Sequence, residues 1–187
     1  MARHWRSAAQ LQQWRNRCIS DGYEPGSTFK VLTLAAALDC GAVDLESGFH
    51  CSGSERIPGR AQLLHCWRST GHGSQKTPQA LQNSCNLAFA HIGLKLGGER
   101  FYEYIEKFGV IRPVSFDGIT TATGAFTVTD EPVFLGLGAI GQHEDQINPC
   151  TFMVYMGAVA NGGKPVMPYL IEEVRAGEQV TYKAQTV

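Results

Sequence analysis

No stretch of this 187-residue chain approaches the ~18 consecutive apolar residues that a membrane-crossing helix requires. The longest apolar run, Val133 to Gly141, is half that length and glycine-rich. The opening MARHWRSAAQ has no apolar stretch after its positive charges, so no secretory signal is expected. Net charge is also lacking: 16 Lys+Arg stand against 17 Asp+Glu. A nucleic-acid partner normally demands a strongly basic face, and that class is set aside. The four arginines among residues 1–17, with no acid between them, read as a solvated segment rather than a lipid-binding one. Cysteine is sparse: the six present form no Cys-x-x-Cys and hence no recognisable zinc or redox motif. Cys51 and Cys66 flank an apparent hairpin and could pair in an exported domain, whereas Cys18, Cys40, Cys85 and Cys150 read as buried free thiols. None of the six histidines has a ligand-type partner at i+4, so neither metal nor cofactor is expected.

What is present is an ordinary globular composition, 43% apolar with 21 glycines, long enough for one domain with a sizeable core. A helix is expected from Trp5 to Arg15. The turn cluster Asp21-Gly22-Tyr23-Glu24-Pro25-Gly26 then delivers Ser27 or Thr28 as the cap of a buried helix over 28–39, stopped by Gly41. Residues 42–75, Gly/Ser-rich and without helical period, read as loops and short strands. Thr77-Pro78 opens a second helical region that breaks near Ser84-Cys85-Asn86 and resumes as LAFAHIGLKLGG. Glu99 to Phe108 carries Phe101, Tyr104, Ile105 and Phe108 at helical spacing, a stripe best explained as core. Residues 109–131 read as loop with one strand, and a helix begins near Asp130-Glu131-Pro132. Asn148-Pro149 caps a further helix. Tyr169–Val174 and Gln179–Tyr182 form a hairpin around Ala176-Gly177-Glu178.

Two short constellations can carry chemistry. Ser27 and Lys30 are three apart, so on a helix the amine reaches the hydroxyl. A serine is a weak nucleophile until a base takes its proton, and a desolvated lysine can be that base. A helix N-terminus adds free N–H groups and a favourable dipole for a developing oxyanion. The plain alternative is a capping serine beside a solvated lysine. The second constellation is Ser84-Cys85-Asn86, where a helix break lets side chains two apart converge. Ser84 could shuttle a proton to Lys30, and Asn86 could hold both Lys30 and a substrate carbonyl. Here the plain alternative is a pair of caps. Each pattern occurs once in the chain, and each lies at a helix boundary.

The segment Tyr23-Glu24-Pro25-Gly26-Ser27-Thr28-Phe29-Lys30 resembles the active-site segment of class B penicillin-binding proteins, the D,D-transpeptidases that cross-link peptidoglycan. Asn83-Ser84-Cys85-Asn86-Leu87-Ala88-Phe89 is similar to their second motif. Phe101-Tyr102-Glu103-Tyr104 with Phe108-Gly109 is similar to the helix that follows it. Ala139-Ile140-Gly141-Gln142, Asn148-Pro149 and Ala160-Asn161-Gly162-Gly163 are similar to a later region. Cys66-Trp67 with Gly71-His72-Gly73 suggests a sporulation-type, Firmicutes-like member.

The resemblance implies an α+β serine β-lactamase/DD-peptidase-like fold, here mostly its helical part with an incomplete antiparallel sheet. It also implies roles. Ser27 attacks a D-Ala-D-Ala amide of the stem peptide, or a β-lactam, and its N–H gives half of the oxyanion hole. Lys30 is the base, Ser84 relays the proton, and Asn86 positions the substrate.

One departure is plain: the family's third motif, Lys-Thr/Ser-Gly, does not occur, the nearest string being Lys76-Thr77-Pro78. The expectation is therefore an N-terminal part of a transpeptidase domain, a single partial domain over 1–187, impaired on its own. Its parent protein would work at the extracytoplasmic face of the plasma membrane. The alternative is a degenerate, non-catalytic penicillin-binding module that senses β-lactams or docks cell-wall proteins. An unpaired sheet edge would offer a homodimer contact.

Overall fold

A computed structural model describes residues 12–127 and 129–185. The helix expected from Trp5 lies outside the described residues up to position 11, and residues 13 and 14 form a turn. The first described helix of any length is α1, Arg17–Ser20, capped by the Asn16 side chain. A 3-10 turn over Gly26–Phe29 leads straight into α2, Lys30–Asp39. Neither Ser27 nor Thr28 caps that helix, contrary to expectation. The cap position of α2 falls on Phe29 and that of the 3-10 turn on Pro25, and the Thr28 hydroxyl donates back to the Pro25 carbonyl at 2.7 Å. The tight turn leaves the Ser27 hydroxyl free for a partner other than the backbone.

Four short strands follow: β1 (Gly48–Cys51), β2 (Ser54–Glu55), β3 (Leu64–His65) and β4 (Gly73–Lys76). They pair antiparallel as β1–β4 and β2–β3, with Cys51 opposite Gly73 and Ser54 opposite His65. Helix α3 (Thr77–Gln82) has proline in its first turn, and the expected break then separates it from α4 (Asn86–Leu96). Next come α5 (Gly98–Phe108), the small β5–β6 hairpin (Ser115–Phe116, Ile119–Thr120), α6 (Pro132–Gly138) and α7 (Pro149–Ala160). The hairpin replaces the one strand expected in that region. The chain closes on β7 (Glu173–Ala176) and β8 (Gln179–Lys183). That hairpin starts four residues later than its apolar pattern suggested, because Leu170 and Ile171 instead donate their N–H groups to the Asp117 carboxylate.

The core is built around α2 and α4. Leu32, Ala36 and Ala37 of α2 and Leu87, Ala88, Phe89, Ala90 and Ile92 of α4 are fully buried. Alanines on both helices permit close approach, and each buried Leu, Ile or Phe contributes about 1.5–3 kcal/mol. Beneath the 3-10 turn lies an aromatic floor: Phe29 packs against Phe101 and Phe126 at centroid distances of 6.1 and 6.2 Å. The Tyr104 hydroxyl donates to Asp39 at 2.6 Å and ties α5 to the end of α2.

Two polar anchors fix the turn before Ser27. Asn148, fully buried, caps α7 through Cys150 N and Thr151 N and donates its amide to the Ile19 and Asp21 carbonyls at 2.9 and 2.8 Å. An antiparallel bridge joins Tyr23 to Ile147. Asp145, only 3% exposed, has a carboxylate oxygen with no hydrogen-bond partner. Burial, helped by the Glu24 and Glu144 charges, pushes its carboxyl up to about 8.

Asn148→Ala removes a cap and two cross-links together, and is expected to lower stability by about 2–4 kcal/mol in urea titration. Asp145 holds its proton more tightly folded than unfolded. Its contribution to stability is therefore full below about pH 4 and is lost as pH rises toward 8. Asp145→Asn is expected to raise the thermal midpoint at pH 8 and leave it nearly unchanged at pH 4, measured by calorimetry.

Candidate active site

The site forms where the 3-10 turn enters α2 and the α3–α4 break faces it. Lys30, at the start of α2, is 1% exposed, and its amine lies among four oxygens. These are Ser27 Oγ at 3.1 Å, Ser84 O at 2.8 Å, Ser84 Oγ at 3.0 Å and Asn86 Oδ1 at 2.7 Å. All four sequence-predicted residues are thus brought to one point. The Ser84 carbonyl is the partner that side-chain reasoning missed, and the helix break was its only signal.

The break itself is held from outside. Ser84 has a left-handed backbone, φ 47°, which is costly for a residue with a Cβ and persists only where surroundings enforce it. Its N–H donates to the Leu81 carbonyl at 2.9 Å, and the Cys85 N–H donates to Ala80 at 3.0 Å. Trp67 donates from its indole to the Asn83 carbonyl at 2.8 Å, and the Asn83 amide donates to Gln75 Oε1 at 3.0 Å. On the far side the Asn86 amide donates to the His65 carbonyl at 3.1 Å, which fixes its oxygen toward Lys30. The turn bearing Ser27 is clamped by the Gly26 N–H donating to Gly141 at 2.8 Å. Gly141 lies in one of the segments singled out from sequence.

The electrostatics suit a base. Among the described residues no carboxylate forms an ion pair with Lys30. Burial pulls its amine down to about 8, against a smaller opposing effect of the Cys66 and Cys85 thiols. Protonated, Lys30 can donate its three hydrogens among these four oxygens. A neutral amine has two hydrogens and a lone pair, and either serine hydroxyl can rotate to donate to that lone pair. The Lys30 amine donates to Ser27 Oγ at 3.1 Å, which puts it within proton-transfer reach of that hydroxyl. Ser27 also lies in the first turn of its helical segment, where N–H groups have no intrahelical partner and can meet an oxyanion.

The family profile of the penicillin-binding protein transpeptidase domain matches residues 2–187. The chain belongs to that family. Among its relatives it is 36% identical over 162 residues to stage V sporulation protein D of Bacillus subtilis, covering 85% of this chain and 25% of that protein. It is 31% identical over 163 residues to the peptidoglycan D,D-transpeptidase PbpA of Mycobacterium tuberculosis, covering 86% of this chain and 33% of that one. The chain thus spans a quarter to a third of the length of these two curated relatives. In fold it is similar to penicillin-binding protein A of M. tuberculosis in its penicillin G acyl-enzyme complex, with TM-score 0.82 and 26% identity over 96% of this chain and 43% of that one. The transpeptidase domain from Eggerthella lenta superposes with TM-score 0.83 at 24% identity, over 96% of this chain and 49% of that one. The α+β transpeptidase fold read from the motifs is therefore the fold observed. Four separate antiparallel pairs stand where an incomplete sheet was expected.

The cysteines differ from their sequence reading. All six are free thiols, so Cys51 and Cys66, both buried, are not paired. Of the four read as buried, Cys85 is so, but Cys18 is exposed and Cys40 and Cys150 are half-buried. Among the described residues no helix of this penicillin-binding domain is long and apolar enough to cross a membrane.

With Lys30 near 8, only about a tenth of the amine is neutral at pH 7. A base with that midpoint predicts that any acylation of Ser27 by a chromogenic β-lactam, followed by stopped-flow, rises with pH and levels off above about 8. Asn86→Ala, which strips one ligand from the amine, should shift that midpoint as well as slow the reaction.

Proposed function

We propose that the chain forms the acylation centre of a peptidoglycan D,D-transpeptidase, with Ser27 as nucleophile and Lys30 as its base. The observation that carries this is the buried Lys30 amine, 3.1 Å from the Ser27 hydroxyl and without a counter-carboxylate. Ser27 Oγ attacks the D-Ala-D-Ala amide carbonyl while Lys30 takes its proton. The C–N bond then breaks, and the proton returns through Ser84 to the departing D-Ala amine. An acyl-enzyme results, and the amine of a second stem peptide resolves it. In this scheme Asn86 holds both Lys30 and the substrate. Names among the relatives support the reading, as does a structural neighbour described as a penicillin G acyl-enzyme.

A peptidoglycan substrate would put this activity at the outer face of the plasma membrane. The Ser27 N–H is one oxyanion donor, and removing a single such donor costs ~10²–10³ in rate. The strands of β7–β8 are solvent-exposed along almost their whole length, and a second copy could add to that edge.

Incubation of the full-length protein with benzylpenicillin is expected to add one penicilloyl mass, mapped to the Ser27 peptide. Ser27→Ala should abolish the adduct, and replacing Lys30 with methionine should slow its formation by at least about 10²-fold, the scale of a lost general base. An adduct at any other residue would overturn the assignment.

A further inference from the structure

Cys51 ends β1, Cys66 follows β3, His72 precedes β4 and Cys85 is the N-cap of α4. They are 15, 6 and 13 residues apart, a spacing with no familiar ligand signature, which is why no metal is expected from sequence alone. The fold nevertheless brings their three sulfurs and an imidazole nitrogen within 4.8 Å of one another. We infer that Cys51, Cys66, His72 and Cys85 form a Cys3His site for a tetrahedral thiophilic cation, zinc, that pins the second catalytic motif from behind.

The geometry supports this in three ways. Zinc bonds of about 2.3 Å to sulfur and about 2.0–2.1 Å to nitrogen place tetrahedral ligands about 3.6 Å apart for S···N and about 3.8 Å for S···S. Cys66 Sγ and His72 Nδ1 are 3.6 Å apart. The remaining separations, at most 4.8 Å, close to that spacing by side-chain adjustments of an ångström or less.

The donors are also enclosed. Cys51, Cys66 and Cys85 are 1%, 6% and 0% exposed, and Trp67 meets the His72 ring edge-on at 5.3 Å. Three buried thiols facing one another are poor hydrogen-bond partners and gain little from their clustering. Four soft and borderline ligands with no position left open are the pattern of a structural zinc, and thiolates favour it over calcium or magnesium.

The loops carrying the ligands are built to meet. Gly53 and Gly71 have φ of +96° and +75°, and a Cβ on either would lie 2.0 and 2.1 Å from the Ser69 and Cys51 carbonyl oxygens. Only glycine lets these two strands of backbone cross so closely. The Cys66 N–H donates to the Gly53 carbonyl at 2.8 Å, which sets the third ligand against the same crossing.

The consequence for the catalytic centre follows from position. Cys85 lies between Ser84, held in its left-handed conformation, and Asn86, both of which touch Lys30. A metal bond to Cys85 would fix that tripeptide to the β1–β4 pair without occupying the cleft. The site stands apart from the transpeptidase reading: failure of acylation would leave it untouched, and its own failure would leave Ser27 and Lys30 in place.

The test is elemental analysis of the full-length protein purified without chelators, with competition by a chromogenic zinc chelator. One zinc per chain is expected, and Cys51→Ser and His72→Ala should each weaken retention at least tenfold. Cobalt exchanged into the wild type should show thiolate-to-metal charge transfer and the intense visible bands of a tetrahedral centre. Because a variant can simply misfold, the wild type also receives a zinc-dependent alkylation map. Zinc should protect Cys51, Cys66 and Cys85 but leave Cys18 reactive. Equal alkylation of the three with and without zinc, or a disulfide joining any two of them in the purified protein, would overturn the site.

Discussion

Everything in this structure that bears on chemistry depends on one buried amine. Lys30 is almost wholly removed from water and has four oxygens around it but no carboxylate to neutralise it. Burying an unpaired charge is expensive, so burial brings the amine down to about 8, where a neutral fraction that could act as a base is present near neutral pH. The cost is carried by the rest of the domain. Helices α2 and α4 bring the amine and its oxygens together, and the aromatic floor of Phe29, Phe101 and Phe126 keeps the turn above it from relaxing.

The same demand explains the unusual backbone at Ser84. A continuous helix through Asn83–Asn86 would place the Ser84 and Asn86 side chains about 200° apart around the axis, and they could not both face Lys30. The left-handed residue breaks the helix, turns the Ser84 carbonyl inward as well, and needs external support. Trp67, Asn83, Gln75 and His65 give that support by hydrogen bonds from the β1–β4 region. The short strands between α2 and α3 thus brace the break that faces Lys30, and the cysteine–histidine cluster sits among them.

Much of the helical frame was legible in sequence because its signals are local. Proline at the start of α3, α6 and α7, the Asn148 cap, and the spacing of Phe101, Tyr104 and Ile105 each specify one element without reference to the others. Errors fell where a distant partner decides. Leu170 and Ile171 have the pattern of a strand, yet Asp117 takes their N–H groups and the hairpin begins later. Thr28 has the chemistry of a cap, yet it lies inside a 3-10 turn capped by Pro25, and Phe29 takes the cap position of α2.

The sequence by itself picked out the four side chains that the structure gathers around one amine, because Ser27 with Lys30 and Ser84 with Asn86 are short-range patterns whose geometry a helix turn and a helix break dictate. It also determined the family, through motifs read in order along the chain. Only the tertiary structure decided that the two pairs meet, that the Ser84 carbonyl joins them, and that Cys51, Cys66, His72 and Cys85 converge. Those contacts join residues from 6 to 56 positions apart. No local propensity encodes such a meeting; it arises from how the helices and short strands pack around a common core.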